Sequence, residues 1–131
     1  MKITILSIPV LDQEKALQFY TTKLGFLKKL DKALDGGHRW ITLVSPEVQD
    51  GIELLLEPAP LHFEPSKVYQ DALFAAGIPW TQFDVDDVQA EYDRLVALGV
   101  EFSMEPKEMG TVKATVLNDT VGNYIQLVEY L

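Results

Sequence analysis

Across residues 2–10 (Lys-Ile-Thr-Ile-Leu-Ser-Ile-Pro-Val) β-branched and apolar side chains partly alternate. That period belongs to a strand, with Ile3 and Ile5 on one side and Thr4, Leu6 and Ile8 on the other. The pattern then lengthens to helical spacing. Asp12 is placed to cap a helix, Glu14 lies in its first turn where a carboxylate suits the helix dipole, and Ala16, Leu17, Phe19, Tyr20 and Leu24 recur on one face before Gly25. This predicts an amphipathic helix of about three turns ended by a glycine. Three strands are expected next, near residues 26–33, 38–45 and 51–57. They are punctuated by Asp35-Gly36-Gly37 and Asp50-Gly51, where glycine accepts the positive φ of a tight turn. The first half therefore reads β-α-β-β-β.

The second half repeats this order. Residues 80–85 (Trp-Thr-Gln-Phe-Asp-Val) read as a strand, Asp86 or Asp87 as the cap of a helix through Tyr92, Leu95 and Leu98, and Gly99 as its end. Strands follow near residues 100–104, 112–118 and 123–130. A shift of 74 places Asp12 on Asp86, Ala16 on Ala90 and Leu24-Gly25-Phe26 on Leu98-Gly99-Val100, an internal repeat marked more by punctuation than by identity. Residues 59–79 carry Pro60, Pro65 and Pro79 and form a connector between a first module, residues 1–58, and a second, residues 80–131. Within it residues 66–76 are expected to form a short helix ending at Gly77.

A chain of 131 residues closes one core and is too short for two independent ones, so a single domain over residues 1–131 is expected. Its 47% hydrophobic and 24% charged residues exclude the profile of a disordered chain. No apolar run reaches the roughly 18–20 residues that span a bilayer, and the N-terminus lacks a leader's long apolar stretch and small-residue cleavage site. No membrane partner is expected. The absence of cysteine removes disulfides and thiolate chemistry and agrees with a reducing, cytoplasmic location. A net charge of -9 argues against nucleic acid, whose phosphates need clustered Lys and Arg. It leaves room for a cationic small molecule.

The string Asp12-Gln13-Glu14-Lys15-Ala16-Leu17-Gln18-Phe19-Tyr20 with Leu24-Gly25-Phe26 resembles the opening of vicinal oxygen chelate proteins, the glyoxalase/bleomycin resistance protein/dioxygenase superfamily. Phe83-Asp84-Val85-Asp86-Asp87, Leu98-Gly99-Val100, Pro106 and Gly122-Asn123-Tyr124-Ile125-Gln126-Leu127-Val128-Glu129 are similar to its second module, so the likeness covers nearly the whole chain. It implies an α+β fold of two tandem βαβββ modules forming a curled mixed sheet around a ligand. One turn departs from the pattern. Asp119-Thr120-Val121-Gly122-Asn123 has threonine where the family usually has proline, which should loosen the turn without changing the fold.

In metal-dependent members four strand positions hold a divalent ion through His, Glu or Gln, and the ion chelates two adjacent substrate oxygens. Carried over, these positions are Ile5, Glu53, Trp80 and Gln126. An alkyl chain and an indole cannot coordinate, and one carboxylate with one amide is too few donors for tight binding. No metal and no other cofactor is therefore expected, and the His-His-carboxylate iron triad of the dioxygenases is absent. His38 and His62 lie at none of these positions. Each reads as a surface or loop histidine, with a meeting across a dimer interface left open.

Glu53 stands in an otherwise apolar strand, Ile52-Glu53-Leu54-Leu55-Leu56, where a charged carboxylate needs a partner or a raised pKa. It reads either as a general base or ligand anchor, or as a remnant paired with Arg39 or Lys113. Ile5, Trp80 and Gln126 would line the same pocket, joined on strand parity by Trp40, Thr42, Gln82, Thr115 and Tyr130. The favoured expectation is a metal-free small-molecule binding protein of the resistance type, which sequesters its ligand. The alternative is a lyase or isomerase of the glyoxalase type with Glu53 as general base, with or without a weakly held divalent metal, and a third is a structural or regulatory role. By the family's habit, a homodimer is expected.

Overall fold

Ile8, Ile41, Leu43 and Leu56, all fully buried, come from three strands whose register puts them on one face of one sheet. The structure, a computed structural model, describes all 131 residues. It divides into two units, Met1–Tyr69 and Gln70–Leu131, each with its own four-stranded mixed sheet. The first contains β1 (Ile5–Pro9), α1 (Gln13–Gln18), β2 (Leu27–Ala33), β3 (Arg39–Val44) and β4 (Glu53–Glu57), in the sheet order β1-β4-β3-β2. Only the β1–β4 pairing is parallel. The second contains β5 (Thr81–Asp84), α3 (Val88–Ala97), β6 (Phe102–Met109), β7 (Val112–Asn118) and β8 (Tyr124–Tyr130) in the equivalent order β5-β8-β7-β6. Both units have the expected β-α-β-β-β order. The connector helix α2 (Glu64–Ala75) begins two residues before its predicted start, and the boundary between units falls inside it. No helix is long and apolar enough to cross a membrane.

In each unit one sheet face is covered by its helix. α1 lies against β3 and β4, and α3 against β6, β7 and β8. The side chains that meet there, Ala16, Leu17 and Tyr20 in one unit and Val88 and Leu95 in the other, sit at helical spacing and are buried. Burying a large aliphatic side chain is worth about 1.5–3 kcal/mol, so these stripes are what fix each helix to its sheet.

The two helices differ by one residue, which corrects the offset of the repeat. Asp12 caps α1 by accepting from Lys15 N–H, and Asp87, not Asp86, caps α3 by accepting from Ala90 N–H, each at 2.9 Å. The caps are therefore 75 positions apart, whereas Gly25 and Gly99 are 74 apart. A π-helical turn over Phe19–Lys23 absorbs the difference. There Leu24 N–H reaches back five residues to Phe19 O, and Phe26 N–H six residues to Tyr20 O. The end of α3 closes with one residue fewer, Val100 N–H to Leu95 O and Gly99 N–H to Val96 O, with Gly99 at φ +85. The predicted three-turn α-helix is thus an α-helix ending in a π turn.

The turn from β7 to β8, which lacks the family's usual proline, is closed by the Asp119 side chain. Asp119 Oδ1 accepts from Val121 N–H and Asn123 N–H, both at 2.9 Å, and Oδ2 accepts from Asn123 Nδ2 at 2.8 Å. Thr120 has φ +66, a left-handed conformation closed to proline, whose ring holds φ near -65°. The buried Asp119 carboxylate instead ties the turn together through three hydrogen bonds.

Candidate functional site

In the first unit, the face of the sheet turned away from α1 carries the first candidate group. Thr42 pairs with Leu55 and Ile5 with Glu53, so alternation places Ile5, Trp40, Thr42, Glu53, Leu55 and Glu57 together on that face. Thr42 Oγ1 donates to Glu53 Oε1 at 2.7 Å, and the Lys29 ammonium stands 3.2 Å from Oε2. The Glu53 side chain is 16% exposed and Lys29 40%. The hydrogen bond from Thr42, then that from Lys29, hold the Glu53 carboxyl below its ordinary range, against the opposing effect of partial burial.

Neither partner expected for Glu53 is the observed one. Arg39 belongs to the opposite face, where its guanidinium grips Asp31 at 3.0 and 2.6 Å and Glu14 at 2.8 Å. Lys113 lies on β7 of the second unit, opposite Glu129. Lys29 reaches Glu53 because β2 is irregular there. Lys28 pairs with Leu43 and Leu30 with Thr42, so Lys29 is the extra residue of a bulge. Bulges re-aim side chains in this way. Nothing in the residue pattern of 26–33 announces it.

At the other end of the same strands is a cleft of about 150 Å³ lined by Trp40, Leu55, Glu57, His38 and His62 among others. The two histidines meet here within one chain, ring centroids 4.8 Å apart and planes inclined by 47°. His38 precedes β3, and His62 follows a 3-10 turn, Ala59–Leu61, that brings the chain back over the end of β4.

In the second unit Gln82 and Gln126 are register partners. Gln126 Nε2 donates to Gln82 Oε1 at 3.4 Å, and Gln82 Nε2 donates to the Tyr130 hydroxyl at 3.2 Å and to Asp84 Oδ1 at 3.3 Å. Three of the expected wall residues thus form one hydrogen-bonded row, with Asp84 as an unforeseen member. Trp80 leads into β5 through its N–H bond to Tyr124 O at 2.8 Å. Thr115 does not belong with them. It pairs with Leu127, whereas Gln126 pairs with Val116, so Thr115 points to the opposite, helix-covered face, fully buried, its hydroxyl donating to Met104 O at 2.6 Å. The loop of the β7–β8 hairpin sets this register, and a shift of one residue inverts every side chain.

The four carried-over positions do not fit a divalent ion. Ile5 and Trp80 offer no donor atom, and both Glu53 oxygens are engaged, one of them by an ammonium. Gln126, whose Nε2 donates to Gln82 Oε1, adds a single neutral amide oxygen, too few donors to hold the ion. A lowered pKa also weakens Glu53 as a proton acceptor, because an efficient base has a pKa near the working pH. What the first face offers is a fixed carboxylate–ammonium pair beside apolar and aromatic surface.

Sequence and structure comparisons agree with this architecture. The profile of the Glyoxalase/Bleomycin resistance protein/Dioxygenase superfamily matches residues 2–127, and the chain belongs to that superfamily. It is 54% identical to the uncharacterized protein YurT of Bacillus subtilis (strain 168) over 98% of this chain and 99% of YurT. Among solved structures it is similar to UcmS2, at 30% identity and a TM-score of 0.82, covering 98% of both chains. It is also similar to TnmS3, an antibiotic binding protein from Streptomyces sp. CB03234, at 26% identity and a TM-score of 0.75 over 100% of this chain and 97% of that one.

Proposed function

We propose that this protein binds an organic small molecule and holds it unchanged, a sequestering role of the resistance type, acting as a cytoplasmic homodimer. The observation that carries this reading is the state of Glu53, held ionised by Thr42 and Lys29 and so a poor general base but a stable polar anchor. The antibiotic-binding description of TnmS3 supports the same reading. The net charge of -9 favours a cationic guest over an anionic one. Exposed Ile3, Leu6 and Ile52 at one end of the first sheet supply apolar surface for a second copy.

A panel of aromatic and cationic compounds, scored by quenching of the two tryptophans, tests it. A binder should be recovered chemically intact after prolonged incubation, and Glu53→Gln should weaken its binding. Conversion of the compound to a product, abolished by Glu53→Gln, would establish the lyase or isomerase reading instead.

A further inference from the structure

Independently of that reading, we propose that His38 and His62, which line the cleft in the first unit, form a chelating pair for a borderline transition-metal ion, Cu²⁺, Ni²⁺ or Zn²⁺. The residues are 24 positions apart in sequence, and two separate loops bring them together, the turn before β3 and the 3-10 turn after β4. Their ring separation is that of two imidazoles on one ion. With metal–nitrogen bonds of about 2.0–2.1 Å and two cis imidazoles subtending roughly 90–110°, ring centroids should stand about 4.5–5.2 Å apart. The observed separation is 4.8 Å. The inclination of 47° is far from the parallel stack of the Phe74 and Tyr124 rings, 4.3 Å apart at 2°.

The surroundings define what kind of site this is. No group of three or more His, Cys, Asp or Glu side chains is disposed to hold a metal ion, so the pair supplies two nitrogens only. At least two positions on the ion remain for water or for donor atoms of a small molecule seated in the cleft of about 150 Å³. Nearby Arg39 does not oppose the ion with a free charge, because its guanidinium is committed to Asp31 and Glu14. Imidazole ligands select copper, nickel and zinc over magnesium or calcium, and affinities should follow the usual order with Cu²⁺ tightest. The site is separate from the family's positions at Ile5, Glu53, Trp80 and Gln126.

Titration of the chelator-treated protein with CuCl₂, followed by calorimetry and by electron paramagnetic resonance, tests the assignment. One Cu²⁺ per chain with a two-nitrogen equatorial signature is expected. His38→Gln and His62→Gln should each weaken binding by about tenfold or more, and the double variant should lose the signature. Glu53→Gln should leave binding unchanged. Absence of Cu²⁺ binding, binding indifferent to both histidine substitutions in variants with native circular dichroism, or loss of binding in Glu53→Gln would each overturn the proposal. His38→Asn and His62→Asn provide a second pair of variants should either glutamine variant fail to fold.

Discussion

Gln13 holds the main chain of Arg39 from both sides, its Nε2 donating to Arg39 O at 2.6 Å while its Oε1 accepts from Arg39 N–H at 2.9 Å. The same Nε2 donates to Leu56 O at 3.0 Å, so one side chain from the first turn of α1 ties the ends of β3 and β4 together. Gln13 is 8% exposed, and water cannot easily replace it. Gln13→Ala should cost about 2 kcal/mol through unsatisfied buried backbone groups. Gln13→Glu should do no better, since a carboxylate would face two carbonyl oxygens. Urea unfolding should report both as a lower midpoint at unchanged slope. A midpoint within error of the parent would mean that the strand ends are held by something else.

Thr120 gives a prediction that runs against the family pattern. Restoring the usual proline, Thr120→Pro, should destabilise the fold by about 2 kcal/mol or more, because φ +66 is barred to proline and the Thr120 N–H bond to Asn118 Oδ1 would be lost. Thr120→Gly should stabilise by about 0.5–1 kcal/mol, since glycine adopts this conformation without a Cβ clash. Thermal melts of the two variants should move in opposite directions. A proline variant that melts higher than the parent would contradict the Asp119-centred turn.

The acid side of the stability profile follows from three carboxylates. Glu14 and Asp31, through hydrogen bonds from Arg39, and Glu53, through Thr42 and then Lys29, have folded pKa values below their ordinary ones. In the window between the folded and unfolded values the unfolded chain binds more protons, so stability rises with pH there. The contribution is fully present above the unfolded carboxylate range, about pH 4.3, and is lost as pH falls through the folded values. Unfolding midpoints should therefore be flat from neutrality to about pH 5 and fall below it. In carbon-13 titrations Lys29→Met should move the Glu53 midpoint upward, and Thr42→Val should move it further, Thr42 being the larger cause. A Glu53 midpoint that ignores both substitutions would remove them as its partners.

Much of the fold was legible because its signals are local. Alternation marked the strands, and Asp12, Asp87, Gly25 and Gly99 marked helix ends by chemistry that needs only neighbouring residues. The π turn was hidden, since one extra residue inside a helix leaves the apolar stripe nearly intact. The site was harder. Ile5, Glu53 and Gln126 were reached through the family resemblance and Trp40, Thr42, Gln82 and Tyr130 through strand parity, but Thr115 was placed on the wrong face because its register depends on a hairpin loop. Lys29 was missed because a bulge has no composition of its own, and the approach of His38 to His62 because it joins two loops across 24 positions.

The bulge at Lys29 also bears on how the protein behaves in a crowded solution. β2 is an edge strand of its sheet, with one row of backbone hydrogen-bonding groups unmatched. Its sequence, Leu27-Lys28-Lys29-Leu30-Asp31-Lys32-Ala33, sets three lysines and a break in register along that row. A foreign strand would have to follow the irregularity and accept the positive charge, so β2 is a poor template for fibrillar growth. The distortion that hands Glu53 its ammonium thus also guards the sheet against recruitment into an aggregate.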